Sequence, residues 1–186
     1  SDEEGTPIEL PDDYILFVGS MNPRKNIRRL IKSYHKARDR YSFSHKLVLI
    51  GPGNSLSFKN QKFNFDSDHV ISTGFISEMK LKYAYTNASL FVFPSLYEGF
   101  GLPPIEAMAC GTPVLASHTA SLPEVLVESA AYVNPTNTEA ITTKLGELLT
   151  DRRLREEMAT NGEPHASKYT WSRMFREVKK AIEAAK

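Results

Sequence analysis

Two glutamates eight positions apart, Glu98 and Glu106, flank the turn Gly99-Phe100-Gly101-Leu102, and Pro103-Pro104 follows at once. Carboxylates accept paired hydrogen bonds from vicinal hydroxyls, so either glutamate is suited to reading a ribose or a hexose. The glycines let a ligand approach the backbone, and the helix announced by the prolines would aim its first amides at whatever fills the turn. Glu106 is expected in the first turn of that helix, where it fits plain helix-dipole complementation as well. The second chemically loaded stretch is Gly19-Ser20-Met21-Asn22-Pro23-Arg24-Lys25-Asn26. Arg24 and Lys25 stand just ahead of a predicted helix N-terminus, an arrangement that attracts phosphate oxygens, although adjacent cations are equally at home in a solvated basic turn.

Each of these loops follows a short apolar run that reads as a strand buried on both faces: Tyr14–Gly19 before the basic loop and Leu90–Pro94 before the glutamate turn. Lys46–Gly51, Val70–Gly74, Pro113–Ala116 and Ala131–Val133 read the same way and bring the expectation to about six strands. Ile27, Leu30, Ile31, Tyr34 and Ala37 recur at helical spacing and leave Arg28, Arg29, Lys32 and Lys36 for solvent. Ser77-Glu78-Met79-Lys80 opens a helix with Leu81, Ala84, Tyr85 and Ala88 inward, and Gly111 closes the one begun at Pro103-Pro104. A short helical segment spans Pro123 to Val127, and the remainder reads as packing or docking helices from about Glu139 and about Trp171. Gly51-Pro52-Gly53-Asn54 breaks the second strand, and the stretch to about Asp68 reads as a long surface loop. Strands alternating with amphipathic helices specify a doubly wound, Rossmann-like α/β domain with a parallel sheet, whose ligands sit outside the carboxyl ends of the strands.

Composition narrows the function classes. A chain of 186 residues, 41% apolar and 24% charged, fits one soluble α/β core. A net charge of +1 gives no broad attraction to nucleic acid or anionic lipid, so no nucleic-acid partner is expected and any phosphate site must be local. The single Cys110 excludes an intramolecular disulfide, and the five histidines lack ligand spacing, so no metal is expected. No stretch approaches the roughly 20 apolar residues of a bilayer span, and the acidic start Ser1-Asp2-Glu3-Glu4 is unlike a signal peptide. Residues 1–13 read as a linker and 14–186 as the domain.

The motifs together resemble those of the family 4 (group 1) retaining glycosyltransferases of GT-B architecture. The resemblance rests on Phe93-Pro94-Ser95 ahead of Glu98 and Glu106, Pro23-Arg24-Lys25-Asn26 after the first strand, and Gly74-Phe75 after the third. It continues through Glu106-Ala107-Met108-Ala109-Cys110-Gly111-Thr112-Pro113-Val114 and Leu122-Pro123-Glu124-Val125, in the family's order. It implies a C-terminal, nucleotide-sugar-binding half, with Lys25 as the diphosphate-binding lysine, Arg24 as an auxiliary cation and Gly19 in the donor-facing loop. Glu106 would hold the ribose. Glu98, with the amides of Gly99, Phe100, Gly101 and Leu102, would hold the donor hexose and its phosphate, and Phe75-Ile76 would face the nucleobase. The reaction implied is hexosyl transfer with retention, without a cofactor or metal, to a glycan or lipid-linked acceptor bound by an N-terminal domain of the same full-length chain. GDP-mannose is the first expectation for the donor and UDP-sugars the next. This half alone is expected to be inactive, in the cytoplasm, with peripheral membrane association of the parent protein left open.

Two positions depart from the family pattern: Ser20 stands where many members carry arginine, and His118-Thr119-Ala120-Ser121 replaces a frequent glycine pair, so no ligand role is assigned there. A dinucleotide-dependent oxidoreductase is disfavoured because Gly51-Pro52-Gly53 lacks the third glycine of that fingerprint. A non-catalytic nucleotide-binding or docking module of the same fold is the standing alternative.

Overall fold

The computed structural model describes residues 8–52 and 68–184; the surface loop expected up to about Asp68 and the start of the expected linker fall largely outside them. Six parallel strands form one sheet: β1 (Tyr14–Val18), β2 (Lys46–Ile50), β3 (Val70–Gly74), β4 (Leu90–Phe93), β5 (Val114–Ser117) and β6 (Ala131–Val133), in the order β3-β2-β1-β4-β5-β6. Ile15, Leu16, Phe17, Leu47, Val48, Leu49 and the whole of β4 are buried. That is the condition for a strand covered on both faces and the reason these runs do not alternate.

Helices cover both faces. Helix α1 (Ile27–Arg40) buries Ile27, Leu30, Ile31, Tyr34 and Ala37, as its periodicity requires, and packs on α5 (Thr138–Thr150). Helix α2 (Glu78–Thr86) buries Ala84 and Tyr85, and α3 (Leu102–Ala109) packs on α6 (Arg152–Ala166). Helix α4 is the short Leu122–Leu126, continued by a 3-10 turn at Val127–Ser129, and α7 is Trp171–Ala184. Each large aliphatic side chain taken fully out of water contributes about 1.5–3 kcal/mol, so the two faces of the sheet hold the domain together.

The helical stretch from Glu139 is interrupted. Asp151 adopts extended backbone and its carboxylate accepts a hydrogen bond from Leu154 N at 2.9 Å, so one residue ends α5 and caps α6. Helix α3 begins at Leu102 rather than at the prolines, which places Glu106 fifth in the helix, beyond the first turn where it was expected. Arg29 also departs from the solvent-face expectation: its Nη1 donates to Asn26 Oδ1 at 2.7 Å and to Pro135 O at 3.1 Å.

Candidate functional site

The strand order reverses between β1 and β4, which pair directly through Ile15 and Leu90. Crossover connections leave β1 and β4 toward opposite sides, so a crevice opens at their carboxyl ends, and both chemically loaded loops emerge there. Backbone meets backbone at this edge: Gly19 N donates to Ile50 O at 2.9 Å, and a Cβ on Gly51 would lie 2.0 Å from Gly19 O. Only glycine at 51 permits that approach, which holds the β1 and β2 ends together.

Residues 23–25 form a 3-10 turn whose Asn22 side chain accepts from Arg24 N. The turn delivers Lys25 inward, 6% exposed, so Lys25 is no member of a solvated basic turn. Its Nζ donates to Glu98 Oε1 at 2.7 Å and lies 4.5 Å from the centroid of the Phe93 ring. Arg24, with a half-exposed side chain, places Nη1 3.1 Å from the other carboxylate oxygen of Glu98 and donates to Tyr97 O at 3.3 Å. Glu98 is itself 8% exposed. Burial works to raise its carboxyl pKa, but the Lys25 hydrogen bond, the nearby Ser95 hydroxyl and the two cations outweigh it and hold Glu98 below the ordinary range. Two cations against one carboxylate leave the cluster with one excess positive charge, carried toward solvent by Arg24.

The glutamate turn adds neutral donors. Gly101 caps α3 at φ +96°, a conformation that glycine adopts without strain. Pro103 and Pro104 lack N–H groups, so the donors at this helix start reduce to the amides of Gly99, Phe100, Gly101 and Leu102. Among the described residues none accepts a hydrogen bond from those amides. An electropositive pair beside unengaged amides is equipped to hold an anion, and the carboxylate beside them to hold hydroxyls.

Glu106 is exposed and accepts a hydrogen bond from Tyr85 Oη at 3.0 Å. Burial, then the Glu106 charge, pushes the Tyr85 phenol far above its ordinary pKa, so it remains a donor to that carboxylate. The two glutamates therefore have separate partners. Phe75 and Ile76 differ in exposure: Phe75 is 79% exposed beyond β3, whereas Ile76 packs with the core. Among the described residues no group of three or more His, Cys, Asp or Glu is placed to hold a metal ion, and no helix is long and apolar enough to cross a membrane.

Sequence reasoning missed the residues that hold these loops. Asn26, buried at φ +61°, donates through Nδ2 to Pro94 O at 2.9 Å and Pro135 O at 2.7 Å, tying the loops after β1, β4 and β6 into one unit. Ser121, given no role beforehand, donates to Glu98 O at 2.9 Å, and Leu96 N donates to Arg24 O at 2.7 Å. An asparagine directly after two cations and before a helix was the available signal for the first of these.

The chain matches the family described as Glycosyl transferases group 1 over residues 2–165. It is 34% identical over 168 residues to the serotype-specific mannosyltransferase WbdA of Escherichia coli, covering 88% of this chain and 21% of that protein. Among solved structures, sucrose-phosphate synthase from Thermosynechococcus elongatus superposes with a TM-score of 0.78 at 28% identity, over 95% of this chain and 47% of that one. The C-terminal domain of the group 1 family protein LpcC from Francisella tularensis superposes with a TM-score of 0.70 at 26% identity, over 86% of this chain and 87% of that one. The chain thus spans about a fifth of the curated relative and about half of the synthase.

Proposed function

The chain belongs to the group 1 glycosyl transferases, and from that premise we propose that it is the nucleotide-sugar-binding half of a retaining hexosyltransferase of GT-B architecture. The observation that carries the reading is the convergence of Arg24, Lys25, Glu98 and the unengaged amides of 99–102 at the reversal of strand order. In such a transfer the difficult event is departure of the nucleoside diphosphate, on which negative charge accumulates. Lys25, Arg24 and the loop amides supply fixed positive potential for that charge, and the reading requires no metal for it. Glu98 accepts hydroxyls of the donor hexose. Because it already holds both cations, the arriving sugar and diphosphate exchange partners with a preformed pair instead of neutralising bare charges. Glu106 takes the ribose, and the stretch Phe75-Ile76 faces the base.

GDP-mannose is the donor we favour, supported by the similarity to a named mannosyltransferase, with UDP-sugars next. The acceptor, a glycan or a lipid-linked sugar, belongs to an N-terminal domain of the full-length chain. The small share of the curated relative that this chain spans supports such a domain, and the exposed apolar face of α7 is the surface we assign to it.

Thermal-shift titration of the chain with GDP, UDP and ADP tests the site. One nucleotide should stabilise it by about 2.7 kcal/mol at a hundredfold excess over its dissociation constant, and Lys25→Ala and Glu106→Ala should both weaken that response. Binding that neither substitution affects would overturn the site. Turnover of nucleotide-sugar by the full-length protein separates a transferase from a docking module.

A further inference from the structure

Between Gly99 and Gly101, Phe100 is the residue whose side chain lets the rest of the protein take hold of the glutamate turn. Its ring is 41% exposed and meets an aromatic ring from the far end of the chain: Tyr169 lies edge-on to it, with centroids 5.7 Å apart and planes at 76°. Beneath the turn lies α4. Ser121 Oγ, just ahead of that helix, donates to Glu98 O at 2.9 Å, and a Cβ on Gly101 would fall 2.5 Å from Leu122 Cδ2, so the turn rests directly on the first residue of α4.

A helix of five residues does not hold itself in place. Helix α4 runs into Val127 at φ +43° and ψ −130°, a strained backbone for a β-branched residue, so its position depends on bonds from outside. Val125 O receives two of them, from His165 Nε2 and from Tyr169 Oη, each at 2.8 Å, and the His165 and Tyr169 rings meet edge to face with centroids 5.4 Å apart. Tyr169 thus touches both layers: its hydroxyl braces the helix under the turn, and its ring flanks the turn itself. At 39% exposure it adds little to the core. The amides of 99–102 have no acceptor among the described residues to orient them, so their order must come from what holds the turn. Amides ordered beforehand spare a ligand the entropy of ordering them on binding.

We infer that Tyr169 is a positioning residue for the anion-binding turn: it holds Phe100, and through Phe100 the amides of Gly99, Phe100, Gly101 and Leu102, in the orientation that receives a diphosphate. The ligand in this statement rests on the transferase reading; the ordering of the turn does not.

The test begins without nucleotide. Amide relaxation measured by NMR should give residues 99–102 the order parameters of rigid backbone, about 0.85, and Tyr169→Leu, which keeps apolar bulk but removes the ring edge and the hydroxyl, should lower them toward about 0.6 while those of α1 stay unchanged. Tyr169→Phe keeps the ring contact and leaves Val125 O its bond from His165, so its order parameters should match the wild type. With whichever of GDP, UDP and ADP binds, Tyr169→Leu should weaken binding about fivefold and Tyr169→Phe less than about twofold. Phe100→Leu should weaken it as well, and adding Tyr169→Leu to that variant should cost less than about a further twofold, because Tyr169 acts through Phe100. Unchanged order parameters in Tyr169→Leu, equal loosening of α1, or losses that simply multiply in the double variant would each overturn the proposal. Failure of all three nucleotides to bind the wild-type chain would overturn the transferase reading instead, and the relaxation comparison, made without nucleotide, would still decide the role of Tyr169.

Discussion

Lys25 and Glu98 are nearly as buried as core residues, and each is charged. Taking away one partner of such a pair strands the other, so Lys25→Ala should destabilise the chain by about 3 kcal/mol, read as a lowered urea midpoint. Lys36 and Arg40, which meet Glu139 in the open, offer the contrast: Glu139→Ala should leave the urea midpoint nearly unchanged in the same experiment. Acid acts on the buried pair with a definite sign. The folded Glu98 carboxyl is held below its ordinary pKa, so its stabilisation is complete above the ordinary carboxylate range and is lost as pH falls through the depressed value. The urea midpoint should therefore fall with acidification in that window, and Glu98→Gln should flatten this part of the profile; equal slopes in both proteins would contradict the pairing. The residue types and their strand-end positions were legible in the chain. Their mutual pairing was not, because it depends on the reach of two side chains 73 residues apart. Nor was the difference in exposure between Phe75 and Ile76, since the packing that claims Ile76 is tertiary.

At the scale of elements, Asn26 does the work of a splint. Asn26→Ala removes two buried donors from the carbonyls of Pro94 and Pro135 together with the anchor of Arg29, and should lower stability by about 2 kcal/mol in thermal unfolding. If three loops move as one unit, the same substitution should also weaken nucleotide binding, although Asn26 has no assigned ligand contact. Strands β1, β2, β4 and β5 were readable because strands covered on both faces leave continuous apolar runs, and α1 because its buried positions repeat every three to four residues. The break at Asp151 was hidden. Polar residues flank it on both sides, and an aspartate that caps a helix is indistinguishable by type from one on a helix surface.

For the molecule as a whole, α7 stands apart from the core in one measurable respect: Met174, Phe175, Val178 and Ile182 are all exposed. Replacing Met174, Phe175, Val178 and Ile182 together by glutamine removes little buried apolar area, so the thermal midpoint should move by less than about 3 °C; a larger fall would mean that this face of α7 helps to close the domain. The doubly wound class followed from alternating strands and helices, whereas the strand order did not, because it is set by which crossovers pack and not by any single segment. That order has a consequence for synthesis. Strand β1 has a neighbour on one side as soon as β2 is made, but its other neighbour is β4, so Ile15 waits for Leu90 before the centre of the sheet is sealed. Throughout that interval on the ribosome the nascent chain carries an open apolar strand edge and a lysine without its carboxylate, and chaperone capture or misassociation would act there rather than on the finished domain.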